Sequence, residues 1–142
     1  MKQFEIIDIS GDVGIRAFGK SIEEVFKNSA IGMYSLITDL EGVKAEKSIS
    51  ISVESNSLEG LLVSWLNELI FHFDTYNFIG KRIDIQFLTP NSQSPSLKAI
   101  ILGEEFDTER HERKLLIKAA TYHRLKIEKV RDIWEADIIF DI

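Results

Sequence analysis

The sequence contains no cysteine, which excludes a disulfide framework and any thiolate-ligated metal site. No apolar run approaches the roughly 18 residues that a membrane-spanning helix requires, and no charged-then-apolar leader precedes the first predicted strand. We therefore expect a cytoplasmic protein that has no contact with the membrane.

Basic residues are also in the minority, since 17 Lys and Arg stand against 23 Asp and Glu, for a formal net charge of −6. Affinity for nucleic acids comes mainly from neutralising phosphates, so a chain this acidic is a poor candidate for binding RNA unaided. Any contact with RNA is expected to pass through a protein partner. With 44% hydrophobic and 28% charged residues, the composition is that of a globular protein, and we predict one domain over residues 1–142.

Alternation of apolar and polar residues predicts most of the secondary structure as strands. Short polar turns at 10–12 and 131–132 separate neighbouring strands, and the two prolines lie in a hairpin loop at 89–96. The segment 114–124 is ambiguous, because residues 114–120 allow a helix whereas residues 121–123 favour an extended chain. The predicted strands are 3–9, 13–19, 48–54, 81–88, 97–102, 125–130 and 134–142.

Two helices are predicted between these strands. Ser21 and Glu24 form a capping box ahead of a helix that runs to about Ile37, and Ser57 caps a second helix at 58–74. Both carry apolar residues at helical spacing. The order of elements indicates an α+β fold, in which two helices pack on a mainly antiparallel or mixed β-sheet.

Familiar catalytic signatures are absent from the sequence. It has no phosphate-binding glycine loop, no nucleophile elbow, and no histidine pair at zinc-binding spacing. Carboxylates, Lys118, His111 and His123 remain as candidates. A metal-dependent phosphohydrolase would need His111 or His123 as its base, and turnover of a phosphoester by the isolated protein would favour that function.

The last predicted strand, 134–142, keeps its alternation to the final residue and carries Asp141 next to the α-carboxylate. Asp12 opens the second strand. If these two strands are neighbours, their carboxylates converge at one edge and form an all-oxygen site suited to calcium or magnesium. The simpler interpretation is that Asp12 stabilises a turn and that Asp141 is solvated.

Lys118 interrupts an apolar run at 115–120, where an ammonium must reach water or a carboxylate. The simpler interpretation is that the side chain extends to solvent from a strand edge. The alternative places it beside the carboxylates as their counter-charge. Polar clusters at 110–111 and 122–124 flank the run.

Several blocks of the sequence together resemble the archease family in order and spacing. The resemblance spans nearly the whole chain, and the block from Ile117 to His123 is its most specific part. The blocks are Asp-Val-Gly-Ile-Arg-Ala-Phe-Gly at 12–19, Trp-Leu-Asn-Glu-Leu at 65–69, Arg-His at 110–111, Ile-Lys-Ala-Ala-Thr-Tyr-His at 117–123 and Phe-Asp-Ile at 140–142.

The resemblance implies an α+β fold and a role as a protein cofactor, rather than as an enzyme in its own right. Its partner would be the GTP-dependent RtcB-type RNA ligase, which joins a 3′-phosphate or 2′,3′-cyclic phosphate end to a 5′-hydroxyl in tRNA splicing and RNA repair. The family promotes transfer of GMP onto the ligase's histidine and lets the ligase turn over repeatedly. GTP and tRNA would be contacted only through the ligase. The alternative partner is another RNA-modifying enzyme, such as a tRNA methyltransferase.

The resemblance also assigns roles to residues. Asp12, Lys118 and Asp141 would activate the partner, and Asp12, Asp141 and the main-chain oxygen of Ile142 would bind a divalent metal. Calcium is the expected ion, with magnesium or manganese as alternatives. The remaining polar residues of the matching blocks are candidate supporting residues: Arg110, His111 and His123.

One position departs from the family pattern. Family members commonly carry Asp-His-Thr-Ala-Asp where this chain has Asp-Ile-Ser-Gly-Asp at 8–12. The histidine is replaced by Ile9, so any role of that histidine near the metal or the ligase is missing or moved here. The second aspartate is retained as Asp12.

Overall fold

A computed structural model describes residues 1–8 and 10–142 of the chain. Its strands and helices follow the order predicted from the sequence, with a short 3₁₀ turn at Leu40–Gly42. The elements are β1 (Phe4–Ile9), β2 (Asp12–Gly19), α1 (Ile22–Ile37), β3 (Lys47–Glu54), α2 (Leu58–Tyr76), β4 (Phe78–Leu88), β5 (Ser96–Glu105), β6 (Ala119–Ala120), β7 (Lys126–Val130) and β8 (Ile133–Asp141).

The strands form two sheets, and every pairing is antiparallel. The first sheet has the order β1-β2-β8-β6, with β7 also paired to β8, and the second has the order β3-β5-β4. The predicted α+β fold, with two helices packed on antiparallel strands, is confirmed. The strands nevertheless divide between two sheets instead of forming one, because β3 and β4 both pair with β5, whereas β8 pairs with β2, β6 and β7, and β2 also pairs with β1.

The last strand is the centre of the first sheet. β8 pairs with β2, from Val13 opposite Phe140 to Gly19 opposite Trp134, and also with β6 and β7. Ala136, Ile138 and Phe140 are buried, as the alternation predicts. The regular pattern at the end of the sequence therefore marks a central strand of the sheet.

The turn between β1 and β2 fixes where Asp12 begins. Ser10 and Gly11 both have positive φ, at 51° and 87°, as a two-residue primed hairpin turn requires. Gly11 adopts this backbone without steric cost because it has no Cβ. Asp12 is therefore the first residue of β2, at one end of the sheet.

Both predicted cap residues are confirmed, although the hydrogen bonds of the described residues include only one half of the predicted capping box, with no return bond from the Ser21 amide to the Glu24 carboxylate. The Ser21 hydroxyl accepts a hydrogen bond from the Glu24 amide at 3.1 Å, and the Ser57 hydroxyl accepts one from the Gly60 amide at 2.9 Å. The two helices are joined in the core, where the Trp65 indole donates to the Phe26 carbonyl at 3.0 Å.

The segment 106–118 is irregular, and the helix that propensity allowed at 114–120 is wrong. Its backbone amides bond to other elements, since Lys114 donates to the Ile37 carbonyl at 2.9 Å and Lys118 donates to the Asp141 carbonyl at 2.8 Å. Tertiary hydrogen bonds thus override local helix propensity. None of the helices in the described part of the chain is long and apolar enough to cross a membrane.

Gly14 allows β2 and β8 to approach closely, and Gly14→Ala is expected to lower the free energy of unfolding by about 1–3 kcal/mol. A Cβ at this position would lie 2.3 Å from the Ile138 carbonyl oxygen, so the backbone would have to shift. Urea denaturation measures the loss. Gly42→Ala is the matched control, because a Cβ there has no described atom within 4 Å. Equal stability of the two variants would contradict the steric argument.

Candidate functional site

The pairing of β2 with β8 brings the two predicted aspartates together. Asp12 and Asp141 lie one step beyond the pair formed by Val13 and Phe140, and both alternate away from the core. Residues directly opposite each other in an antiparallel pair have Cβ atoms about 4.5–5.5 Å apart. Two like charges so placed are destabilising unless a cation or a basic group offsets them. We call Asp12, Lys118, His123, Asp141 and Ile142 the terminal-edge site.

Lys118 and His123 flank β6 in the chain, Lys118 directly before it and His123 in the turn that follows. The Lys118 amide donates to the Asp141 carbonyl at 2.8 Å, while its side chain is exposed. The ammonium thus reaches solvent at the edge that carries the aspartates. His123 Nε2 lies 3.7 Å from Asp12 Oδ2, and both side chains are more than half exposed.

The donor set at this edge suits a hard divalent cation. Asp12 and Asp141 offer carboxylate oxygens, and the main chain of Ile142 offers another oxygen beside them. Among the described residues, no group of three or more His, Cys, Asp or Glu side chains is arranged to hold a metal ion. Calcium takes six to eight oxygen ligands, so a cation here would keep several waters or share ligands with a partner.

The strand pair that carries the aspartates is also joined by a bidentate ion pair. Arg16 donates to Asp137 through Nε at 2.7 Å and through Nη2 at 3.0 Å, and the hydrogen bond to Asp137 raises the pKa of Arg16. This contact fixes the register of β2 on β8. It therefore also sets the ends of β2 and β8 that carry Asp12 and Asp141 next to each other.

Sequence reasoning missed Asn67, which connects α2 to this edge. Its Oδ1 accepts from the Ala120 amide at 2.8 Å, and its Nδ2 donates to the Ala120 carbonyl at 3.2 Å. The available signal was the residue type, because asparagine is unfavourable inside a helix unless its side chain has a specific partner.

Arg110 and His111 are brought together with Glu104, in a cluster separate from the aspartates of the terminal edge. Both side chains form hydrogen bonds with the Glu104 carboxylate. The distance from His111 Nε2 to Glu104 Oε2 is 3.0 Å. The Asp107 amide donates to His111 Nδ1 at 2.9 Å, so the ring proton lies on Nε2 and is donated to Glu104. His111 is therefore a hydrogen-bonded core histidine rather than an exposed base.

Glu104, a charged residue next to the exposed Glu105, is buried near the end of β5. Its third hydrogen bond comes from the Lys44 amide at 2.5 Å. Burial alone would raise the pKa of the carboxyl, but the three hydrogen-bond donors outweigh burial and lower that pKa from 4.5 to about 2. The carboxylate is thus charged and fully hydrogen-bonded. Its bonds to Lys44, Arg110 and His111 connect the segment after β5 to the residues that follow the 3₁₀ turn.

The departure at Ile9 lies outside the described residues. Of the residues around Ile9, Asp8 and Asp12 are both exposed.

Comparisons with known proteins give the family. The model of the archease protein family matches residues 4–142. The protein archease of Methanosarcina mazei is 33% identical over 141 residues, which cover 99% of this chain and 97% of that protein. The protein archease of Saccharolobus islandicus is 37% identical over 142 residues and is covered completely, as is this chain.

Solved structures agree. Protein 1598 of Methanobacterium thermoautotrophicum, determined in solution, matches with a TM-score of 0.83 and 32% identity over 100% of both chains. A Thermotoga maritima archease, described as a possible chaperone, matches with a TM-score of 0.59 and 16% identity over 96% of this chain and 94% of that one. This second match supports the fold alone. The resemblance seen in the sequence is confirmed, and the chain belongs to the archease protein family.

Proposed function

We propose that this protein activates an RtcB-type, GTP-dependent RNA ligase by promoting transfer of GMP onto the ligase and repeated turnover. Family membership supports the proposal. The observation that supports it is that the pairing of β8 with β2 and β6 leaves three exposed residues at the same end of neighbouring strands: Asp12, Lys118 and Asp141.

The chemistry of that edge suits a helper in nucleotidyl transfer. Transfer of GMP from GTP needs divalent ions that neutralise the triphosphate. Asp12 and Asp141 would hold such an ion, calcium in our proposal, with magnesium or manganese as alternatives. Because two carboxylates leave coordination positions open, the ion is available to groups of the ligase and its nucleotide. Lys118 adds one positive charge at the same end of the sheet.

The exposure of the site favours an accessory role over a phosphohydrolase. The side chain of Asp12 is 51% exposed and that of His123 is 59% exposed. Hydrolytic sites are concave and exclude water from the reacting atoms, whereas this edge is open to contact with a larger molecule. Three exposed apolar residues on the same segments add contact area for a protein: Leu116, Tyr122 and Ile142.

A chaperone-like partnership with another RNA-modifying enzyme, such as a tRNA methyltransferase, is the second candidate. It is favoured by the description of the Thermotoga maritima archease as a possible chaperone. Recovery of a methyltransferase in place of the ligase, from a pull-down with this protein as bait, would support it.

The deciding experiment is guanylylation of the RtcB-type ligase from the same source with labelled GTP. We expect this protein to accelerate the reaction strongly, and Lys118→Ala to remove most of the acceleration. Glu105→Ala is the matched control, since it removes an exposed charge whose ion pair with Lys47 spans 4.0 Å. No acceleration by the wild-type protein would overturn the proposal. Chelator-sensitive phosphoester hydrolysis by the protein alone would favour the phosphohydrolase.

A further inference from the structure

The side chain of Asn67 pairs with the backbone of Ala120 as a neighbouring strand would. Its amide bonds to both the N–H and the C=O of one residue, at 2.8 and 3.2 Å. β6 contains only Ala119 and Ala120 and has β8 on one side. Asn67 supplies hydrogen bonds to this short strand from α2.

This contact bears on the terminal-edge site because of where β6 lies. Ala119 is opposite Asp141, and the Lys118 amide bonds to the Asp141 carbonyl. On the other side of Ala120, Thr121 is held on β8 by its amide at 3.1 Å and its hydroxyl at 2.8 Å, both bonded to the Ile139 carbonyl. Lys118 is held on β8 by that single backbone bond and by no side-chain bond among the described residues, so its placement depends also on how firmly Ala120, two residues further on, is held.

We infer that Asn67 is a positioning residue of the terminal-edge site: its amide holds β6 on β8 and so sets the position of Lys118 relative to Asp141. Asn67 touches neither the aspartates nor any cation that they would bind. It acts through the backbone of Ala120, and helix α2 thereby supports the edge from the core side. The inference rests on the function proposed for that edge, but the placement of Lys118 is testable without it.

Three variants test the inference. Asn67→Ala removes both hydrogen bonds, and Asn67→Asp keeps the acceptor but sets a carboxylate oxygen against the Ala120 carbonyl oxygen. The control is Asn28→Ala, since Asn28 is a buried helix asparagine whose Nδ2 donates to the Phe18 carbonyl at 2.7 Å. Each variant is assayed by amide hydrogen exchange, normalised to its global stability, and by calcium titration.

For Asn67→Ala we expect protection of the Lys118 and Ala120 amides to fall by at least about tenfold relative to global unfolding. Calcium affinity is expected to fall by at least about threefold, a change smaller than loss of a carboxylate ligand would cause. Asn28→Ala should change neither quantity. For Asn67→Asp, normalised protection should recover toward the wild-type value near pH ~4, where the protonated carboxyl can donate to the Ala120 carbonyl.

Unchanged protection of Lys118 in Asn67→Ala, or a loss of calcium affinity no greater than that of Asn28→Ala, would overturn the inference. Absence of calcium binding by the wild-type protein would instead contradict the proposed cation. In that case hydrogen exchange alone decides whether Asn67 positions Lys118.

Discussion

Asp141→Asn is expected to weaken calcium binding by at least about tenfold, equivalent to about 1.4 kcal/mol, and to remove stimulation of the ligase. The substitution preserves the size of the side chain but removes one of the two carboxylates at this end of the β2–β8 pair. Affinity for calcium follows the number of charged ligands. Calorimetric titration measures the binding, and the guanylylation assay measures the stimulation.

The Asp12→Asn variant is expected to behave similarly, and the double variant should lose less than the sum of the two single losses. Ligands of one ion act as a unit, so removal of the first already disables much of the site. Thermal unfolding should show no loss of stability, because removal of one of two opposed like charges relieves repulsion.

Glu105→Gln serves as the control for both substitutions, since it removes an exposed carboxylate from the other sheet. If Asp141→Asn bound calcium and stimulated the ligase as well as the control does, the terminal edge would not be the working part of the molecule.

Glu104→Ala is expected to lower the free energy of unfolding by about 3–5 kcal/mol. The substitution removes the acceptor of three donors and leaves the buried His111 Nε2–H and the Lys44 amide without partners. It also frees Arg110. Because unsatisfied buried donors carry the full cost of desolvation, the loss exceeds that of a surface ion pair. Denaturant unfolding gives the value, and Glu105→Gln, one residue away, should stay within about 0.5 kcal/mol of the wild type.

The pH dependence of stability provides an independent test of the same carboxylate. Its pKa is about 2 in the folded protein and 4.5 ordinarily, so the unfolded chain binds a proton first as pH falls. The stabilisation is therefore complete above pH 4.5 and is lost as pH falls toward 2. The difference in unfolding free energy between the wild type and Glu104→Gln should be constant above pH ~5 and shrink below it. A difference that does not depend on pH would contradict the assignment.

The secondary structure was predictable because its signals are local. The alternation of apolar and polar residues predicted β8, and the N-capping serines at 21 and 57 predicted where both helices begin. The conformation of the segment 114–120 could not be predicted locally, because its backbone forms hydrogen bonds with α1 and β8. Helix propensity contains no information about such tertiary bonds. The division into two sheets could not be predicted from local sequence either, because tertiary packing determines which strands pair.

The candidate site also contains residues that the sequence indicated and residues that it did not. Asp12 and Asp141 were recognisable from carboxylates at predicted strand ends and from the family blocks. Asn67 was not, because its partner lies 53 residues away and a helix asparagine resembles any other polar surface residue. Local sequence also gives no sign that Glu104 and His111 are hydrogen-bonded to each other in the interior, where their pairing offsets desolvation.

The central position of β8 has a consequence for biosynthesis. A ribosome extends the chain at about 5–20 residues per second, so β3, β4 and β5 are complete, and free to pair, before β8 exists. The hairpin of β1 and β2 must wait for β8, which is made after β5. Asp12 emerges long before Asp141, so the edge that they share is assembled only after the second sheet is complete. A nascent chain that still lacks β8 consequently displays no such edge, and a partner that recognises the edge engages only chains in which β8 has paired with β2.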